Sequence, residues 1–168
     1  IATMTRYEDK FPVPVAFPPD PIENCLGKIL SDSDKIQLRL AESYKYAHVT
    51  YFFNGYREPA FKNEYRVVVP SLSVPRQDEH PEMMASSITN RAIEALNDDS
   101  FDFILINYAN ADTMGHTGNL EAGLKAVAVI NDEIGKLIKA VESRNATLII
   151  TSDHGNIEEM INPMTAQI

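Results

Sequence analysis

The sequence lacks the cysteines needed for cross-linking and the long apolar run needed for a membrane span. Cys25 is the only cysteine among 168 residues, so no disulfide can form within the chain and no zinc site can be built from cysteines. No apolar stretch approaches the roughly 20 residues that cross a bilayer, and the first residues do not show the basic-then-apolar pattern of a secretory signal. We therefore expect a cytoplasmic location and no membrane partner.

Positive charge is also scarce. The chain has 15 Lys and Arg against 24 Asp and Glu, which gives a net charge of −9 and a pI near 4.8. This charge argues against nucleic acid as a partner, because a phosphate backbone is bound chiefly through Lys and Arg. A phosphorylated substrate would meet the same repulsion, so bound divalent cations or arginines from elsewhere would have to offset it.

What is present indicates one globular domain with an α/β fold. A length of 168 residues allows a real core, and 44% hydrophobic with 23% charged residues is ordinary for a soluble protein. Apolar and β-branched runs of strand length alternate with helical patterns, which predicts a mostly parallel sheet flanked by helices. The expected strands are Ile36–Glu42, Tyr65–Pro70, Phe103–Ile106 and Thr147–Thr151.

Three helices are expected between these strands. The first is predicted to begin at Asp20–Glu23, where an N-cap residue, a proline and a glutamate follow one another, with Ile22, Leu26, Ile29 and Leu30 on one face. The second covers Glu82–Leu96. The segment Lys45–Gly55 is compatible with either a strand or a short helix, and His48 within it is expected to be structural.

The third helix follows His116 and carries a long apolar stripe. We expect this stripe to pack on the core, and the helix to connect two parallel strands in a right-handed βαβ unit. The stripe consists of Leu120, Leu124, Val127, Ile134, Leu137, Ile138 and Val141.

The first 19 residues are rich in proline, which removes backbone donors and favours extended conformations. Residues 1–19 are predicted to be a strap or linker, and a flexible tail is an equally good interpretation for the isolated chain. The prolines are Pro12, Pro14, Pro18 and Pro19.

Two polar turns containing Asp and His follow two of the expected strands. Asp112 and His116 lie four residues apart after Phe103–Ile106, while Asp153 and His154 are adjacent after Thr147–Thr151. A carboxylate neutralises a divalent cation, and imidazole adds a nitrogen donor that is neutral near pH 7. Because ligands of open α/β sheets bind beyond the carboxyl ends of the strands, we expect the four side chains to form one metal site.

At these turns the sequence resembles a known family. The runs NYANADTMGHTGN and TSDHGNIEEM, with KYAHVTYFFNG and MTRYEDKFPVPVAFPP, closely resemble the cofactor-independent (2,3-bisphosphoglycerate-independent) phosphoglycerate mutases of the alkaline phosphatase superfamily. The resemblance implies an alkaline-phosphatase-like fold in an incomplete domain. Residues 1–19 would then be the interdomain strap and residues 20–168 the C-terminal portion of the metal-binding phosphatase-like domain.

The resemblance also implies roles for individual residues. Asp112 and His116 would bind one divalent ion and Asp153 and His154 a second, commonly manganese, with magnesium or zinc also compatible, while Lys45 would contact the substrate phosphoryl group. The family interconverts 3-phosphoglycerate and 2-phosphoglycerate, in glycolysis and gluconeogenesis, through a phosphoserine and without 2,3-bisphosphoglycerate. A monomeric parent protein is expected.

Several parts of the family's site are missing from this sequence. The nucleophilic serine and an early aspartate ligand belong to an N-terminal phosphatase segment, and the arginine-rich substrate site belongs to a transferase domain. No histidine follows His154, although the family has a further histidine ligand there. Ser152 is not expected to be the nucleophile. We therefore expect the 168 residues alone to be inactive and to need those missing parts of the same polypeptide as partners.

Two alternatives remain open from the sequence. Another phosphomutase or hydrolase of the alkaline phosphatase superfamily could use the same two turns on a different phosphoester. A non-catalytic, metal-free interaction domain could retain the turns as relics.

Overall fold

The fold is a parallel sheet flanked by helices, as predicted. A computed structural model describes residues 1–6 and 10–161. Strands β1 (Gln37–Glu42), β2 (Glu64–Val69) and β3 (Phe103–Asn107) form a three-stranded sheet in the order β2-β1-β3, with both pairings parallel. All six residues of β1 are buried because it has a neighbour on each side. Three of the four predicted strands are thus confirmed.

The helices and short turns connect these strands and pack on the sheet. None of the described helices is long and apolar enough to cross a membrane. The α-helices are α1 (Leu26–Asp32), α2 (Ala85–Asp98), α3 (Asn110–Gly115) and α4 (Leu120–Ser143). Shorter 3₁₀ turns are Ser43–Lys45, Gln77–Glu79 and Ile157–Glu159, and His48–Phe52 is a π-helical turn. The open question about Lys45–Gly55 is therefore settled in favour of helical structure.

Two hydrophobic clusters hold the elements together. The first lies between β1, α2 and α4 and is built from Leu40, Val69, Ile88, Ala92 and Leu137. The second packs α3 against α4 and is built from Met83, Ala109, Met114, Ala122 and Ala126. Since α3 directly follows β3, the second cluster determines where the residues after that strand lie.

The first helix begins later than predicted, and its apolar face is exposed. It begins at Leu26 after Cys25, and Ile22, Leu26 and Ile29 are exposed, whereas Gly27 and Ser31 are buried. A polar contact orients the helix, because the Gly27 carbonyl accepts a hydrogen bond of 2.9 Å from the buried Gln37 side chain. The predicted start at Asp20 is therefore wrong.

The segment Thr147–Thr151 is not a strand in the structure. It belongs to no sheet, β3 is an edge strand, and the side chain of Ile149 is 82% exposed. An extended apolar segment becomes a strand only where a neighbour supplies backbone hydrogen-bond partners, and no described strand does so here. The predicted βαβ unit is therefore incomplete.

Helix α4 has the predicted extent, but its apolar stripe is only partly core. Leu137 and Val141 are buried, whereas Leu120, Leu124, Val127 and Ile138 are exposed. The face of α4 that packs on the domain carries small residues. They allow α3 and the Ile157–Glu159 turn to approach closely. Its buried members include Ala122, Gly123 and Ala126.

The proline-rich start of the chain folds back on itself. Thr3 forms an isolated bridge with Val15, and its backbone N–H donates to the carbonyl of Pro14 at 3.0 Å. The assignment of residues 1–19 as an interdomain strap stays a prediction, as does the domain assignment of residues 20–168. Residues 7–9 of the first segment and 162–168 of the second lie outside the described residues.

Candidate metal and phosphate site

The carboxyl ends of β1 and β3 bring the first two predicted site residues together. Lys45 closes the 3₁₀ turn that directly follows β1, and Asp112 lies in the first turn of α3, just after β3. Because the two strands are parallel neighbours, both turns emerge at the same edge of the sheet. Lys45 Nζ donates a hydrogen bond to Asp112 Oδ2 there.

Asp112 is the centre of this edge. Its second carboxylate oxygen, Oδ1, accepts a hydrogen bond of 2.8 Å from Asn156 Nδ2. Partial burial by itself would raise the pKa of Asp112, but the hydrogen bonds from Lys45 and Asn156 and the nearby positive charges outweigh it and lower the pKa to about 2. The carboxylate is therefore ionised at neutral pH and able to bind a cation.

Both predicted histidines face the same carboxylate. His116 lies one helical turn after Asp112, and its Nε2 is 3.3 Å from Asp112 Oδ1. His154 Nε2 is 3.9 Å from that oxygen and 3.7 Å from Asp153 Oδ2. The two turns thus meet although the segment before the second turn is not a strand, and all five residues singled out in the sequence lie at one edge.

The donor types at this edge fit part of a divalent metal site. Carboxylate oxygens and imidazole nitrogens are the ligands that manganese, magnesium and zinc accept. However, no three His, Cys, Asp or Glu side chains in the described part of the chain are grouped so that they could hold a metal ion. Residues 1–6 and 10–161 therefore supply an incomplete set of ligands.

His48 belongs to the surroundings of the site, which sequence reasoning did not predict. Burial lowers its pKa and the charge of Lys45 lowers it further, while the charges of Asp153 and Asp112 oppose the shift. Its Nδ1 atom is buried and has no hydrogen-bond partner among the described residues. Its position three residues after Lys45 could have indicated this. Residues three apart lie on the same side of a helical turn, but on opposite sides of a strand.

Buried polar side chains brace the loops around the site. Glu42, at the end of β1, accepts hydrogen bonds from the Ser71 hydroxyl at 2.8 Å and from the Met84 backbone at 3.3 Å. Asn110, at the start of α3, donates to the carbonyls of Pro81 at 2.8 Å and Glu82 at 2.9 Å. These bonds connect the loops that precede α2 to the turns that carry Lys45 and Asp112.

Comparison with known proteins places the chain in a family. Residues 15–166 match the model of a protein family that is described as the metalloenzyme superfamily. This chain belongs to that superfamily. A member of the metalloenzyme superfamily is expected to use metal ions, which agrees with the carboxylate and imidazole donors at the edge of the sheet.

Two relatives of this metalloenzyme superfamily member carry the same name. A 2,3-bisphosphoglycerate-independent phosphoglycerate mutase from Ehrlichia ruminantium (strain Gardel) is 48% identical over 159 residues, which are 95% of this chain and 32% of the relative. The mutase of the same name from Pseudomonas putida (strain GB-1) is 45% identical over 164 residues, 98% of this chain and 32% of the relative. The chain thus spans about a third of the length of the curated relatives it matches.

A solved structure agrees with these relatives. The phosphoglycerate mutase of Leishmania mexicana, crystallised at low cobalt concentration, superposes with a TM-score of 0.88 at 33% identity. The match covers 99% of this chain and 31% of that protein. The resemblance to phosphoglycerate mutases and the α/β fold expected from it are confirmed.

Proposed function

We propose that this chain is the C-terminal portion of the metal-binding domain of a 2,3-bisphosphoglycerate-independent phosphoglycerate mutase. The observation that carries the proposal is the meeting of Lys45 with both Asp-His turns at one edge of the sheet. Relatives of that name match nearly the whole chain and support the same assignment. In this proposal residues 1–19 are the strap from a transferase domain and residues 20–168 belong to the phosphatase-like domain.

The proposed ligands are those expected from the sequence. Asp112 and His116 would hold one divalent ion, and Asp153 and His154 a second, with manganese as the expected metal. Pairwise contacts among these side chains support the assignment, and the incomplete grouping means that further ligands must come from outside the described residues. When bound, the ions would polarise the phosphoryl group and lower the pKa of a coordinated hydroxyl.

The chain's own residues would then position a phosphate ester. Lys45 is a mobile cation whose Nζ faces the ionised Asp112, so it can turn from that carboxylate to a phosphoryl oxygen. The histidines bind metal in their neutral form. The serine that would carry phosphate between the 2- and 3-positions of glycerate is not supplied by this chain. A cytoplasmic monomer in glycolysis, independent of 2,3-bisphosphoglycerate, is the setting that we propose.

A chimeric enzyme tests this function. Replacing the matching third of the Pseudomonas putida mutase with this chain should preserve conversion of 3-phosphoglycerate in the presence of Mn²⁺. Asp112→Asn or Asp153→Asn in the chimera should reduce the rate to background. Lys62→Met, which alters an exposed ion pair with Asp34, is the matched control and should leave the rate unchanged. A folded chimera that binds Mn²⁺ but does not convert the substrate would refute the proposal and favour a related phosphomutase or hydrolase.

The isolated chain provides a second test. It should show no turnover of 3-phosphoglycerate, because the nucleophile and the arginine-rich site are missing. Mn²⁺ should nevertheless raise its melting temperature by mass action, and Asp112→Asn should abolish that rise. The alternative is a metal-free interaction domain. No stabilisation of the wild-type chain by Mn²⁺ would support that alternative.

A further inference from the structure

Asn156 lies where the two Asp-His turns meet. Its Nδ2 donates to Asp112 Oδ1 at 2.8 Å and, more weakly, to the Asp112 backbone carbonyl at 3.3 Å. Its backbone N–H donates to Glu158 Oε2 at 2.7 Å, which anchors the residue in its own turn. A single half-buried side chain therefore connects the second turn to the carboxylate at the centre of the first.

Gly115 provides the space that this contact needs. A Cβ atom at position 115 would lie 2.6 Å from Asn156 Oδ1 and 2.7 Å from its Cγ. Those distances are far below van der Waals contact, so the amide rests directly against the bare α-carbon. Gly115 is not in the left-handed region, and the requirement is for close approach rather than for an unusual backbone conformation.

The amide determines how the Asp112 carboxylate is presented. With Lys45 on Oδ2 and Asn156 on Oδ1, the carboxylate is held from both ends. Its Oδ1 atom then faces the imidazoles of His116 and His154. An amide nitrogen suits this place because it only donates, whereas a carboxylate at position 156 would repel Asp112.

We infer that Asn156 is a positioning residue that docks the second Asp-His turn onto the first and orients Asp112 between the two imidazoles. The inference depends on the proposed function in one respect: the geometry that Asn156 maintains is that of the proposed metal site. The side chains that hold a metal ligand in orientation typically change metal affinity about 10- to 100-fold when they are removed.

Apolar contacts after Asn156 should confine the effect of losing its amide to the second Asp-His turn. Ile157 packs on the cluster between α3 and α4, and buried Met160 lies against Gly123. These two side chains anchor the chain just after Asn156. Loss of the amide should therefore misplace Asp153 and His154 locally without unfolding the domain.

A metal-free NMR measurement on the 168-residue chain tests the docking. The Asn156 side-chain NH₂ signals should show contacts to the Gly115 α-protons and slowed exchange with water. Gly115→Ala should remove both features, while the spectrum of the sheet stays unchanged. Asn131, exposed on α4, is the internal control and should exchange rapidly. A rapidly exchanging Asn156 amide without contacts to Gly115 would overturn the inference.

Mn²⁺ affinity, measured from the free-ion EPR signal, tests the positioning role. Asn156→Ala and Gly115→Ala should each weaken Mn²⁺ binding about tenfold or more, with the melting temperature of the metal-free chain preserved. The double variant should be no worse than Asn156→Ala, because the added methyl then has space. Asn131→Ala should have no effect.

Unchanged affinity in Asn156→Ala, or additive losses in the double variant, would refute the positioning role. Absence of Mn²⁺ binding by the wild-type chain would instead count against the proposed function. In that case the NMR contacts between the Asn156 NH₂ group and the Gly115 α-protons still test whether the second turn docks onto the first.

Discussion

Lys45 and Asp112 lie 67 positions apart in the chain and form an ion pair at the edge of the sheet, with side chains only 10% and 22% exposed. A comparable pair, Lys62 with Asp34, is 71% and 76% exposed. The two pairs share their chemistry and differ in burial. Their comparison therefore isolates what the site gains from removing an ion pair from water.

Replacing the lysine of each pair should give unequal results. Lys45→Met is expected to lower the free energy of unfolding by about 1–3 kcal/mol, because a partly buried carboxylate loses a charge-assisted hydrogen bond. Lys62→Met should cause no change beyond experimental error, since solvent screens the exposed pair. Urea denaturation of both variants checks this, and equal losses would show that Lys45 is solvated in solution.

Arg39 is fully buried on β1, and its charge is expected to contribute little to stability. Its guanidinium lies 4.4 Å from the centre of the Phe53 ring and donates to Gln37 at 2.6 Å. Its Nε and Nη1 atoms find no partner among the described residues. Burial lowers the pKa of Arg39 to about 10, and the opposing charge of Glu64 only partly compensates.

Two substitutions at this position separate volume from charge. Arg39→Ala should cost about 2–5 kcal/mol through the cavity it leaves. Arg39→Met should remain within about 1 kcal/mol of wild type, because it fills the space and removes donors that lack partners. Chemical denaturation measures both, and an equally large loss in Arg39→Met would mean that the charge itself stabilises the fold.

Tyr108 should make stability fall at alkaline pH. Burial raises its pKa and the charge of Glu133 adds to the rise, while the hydrogen bond of 2.6 Å with Thr89 opposes it. The tyrosine ionises near pH 10 in the unfolded chain and only at higher pH in the folded one. The contribution of neutral Tyr108 to the free energy of unfolding is therefore present below about pH 10 and is lost as the pH rises further.

Tyr108→Phe should therefore lose less stability than wild type between about pH 9 and 11. Denaturant titrations across that range give the comparison. Tyr65→Phe, at an exposed position, is the control and should follow the wild-type curve. Parallel pH profiles for wild type and Tyr108→Phe would contradict the burial of this hydroxyl.

The exposed segment Thr147–Thr151 should tolerate charge. Ile149→Lys is expected to change the free energy of unfolding by less than about 0.5 kcal/mol, whereas Leu40→Ala in the core should cost about 2–5 kcal/mol. The lysine should also reduce self-association in sedimentation velocity, because an unpaired β-branched segment promotes edge-to-edge contacts. A large loss of stability in Ile149→Lys would show that the segment is buried in solution.

Part of the candidate site was predictable because Asp112 follows a strand of the parallel sheet, and such strands deliver their carboxyl ends to one edge. Lys45 also follows a strand, but it was assigned to the site through the family resemblance alone. Asn156 and His48 were not assigned to the site. The role of Asn156 depends on contact with Gly115, and that of His48 on a helical turn that its aromatic and β-branched surroundings left ambiguous.

The sequence by itself determined the strands β1, β2 and β3, the extent of α4 and the ligand types of the two turns, since these follow from local hydrophobic periodicity and side-chain chemistry. Tertiary structure alone decided which apolar faces are covered. Leu124 and Ile149 have the pattern of core residues but are exposed, because burial requires a neighbouring element and none among the described residues covers them. Tertiary structure also decided that His116 and His154 share one carboxylate, because only packing brings distant turns into contact.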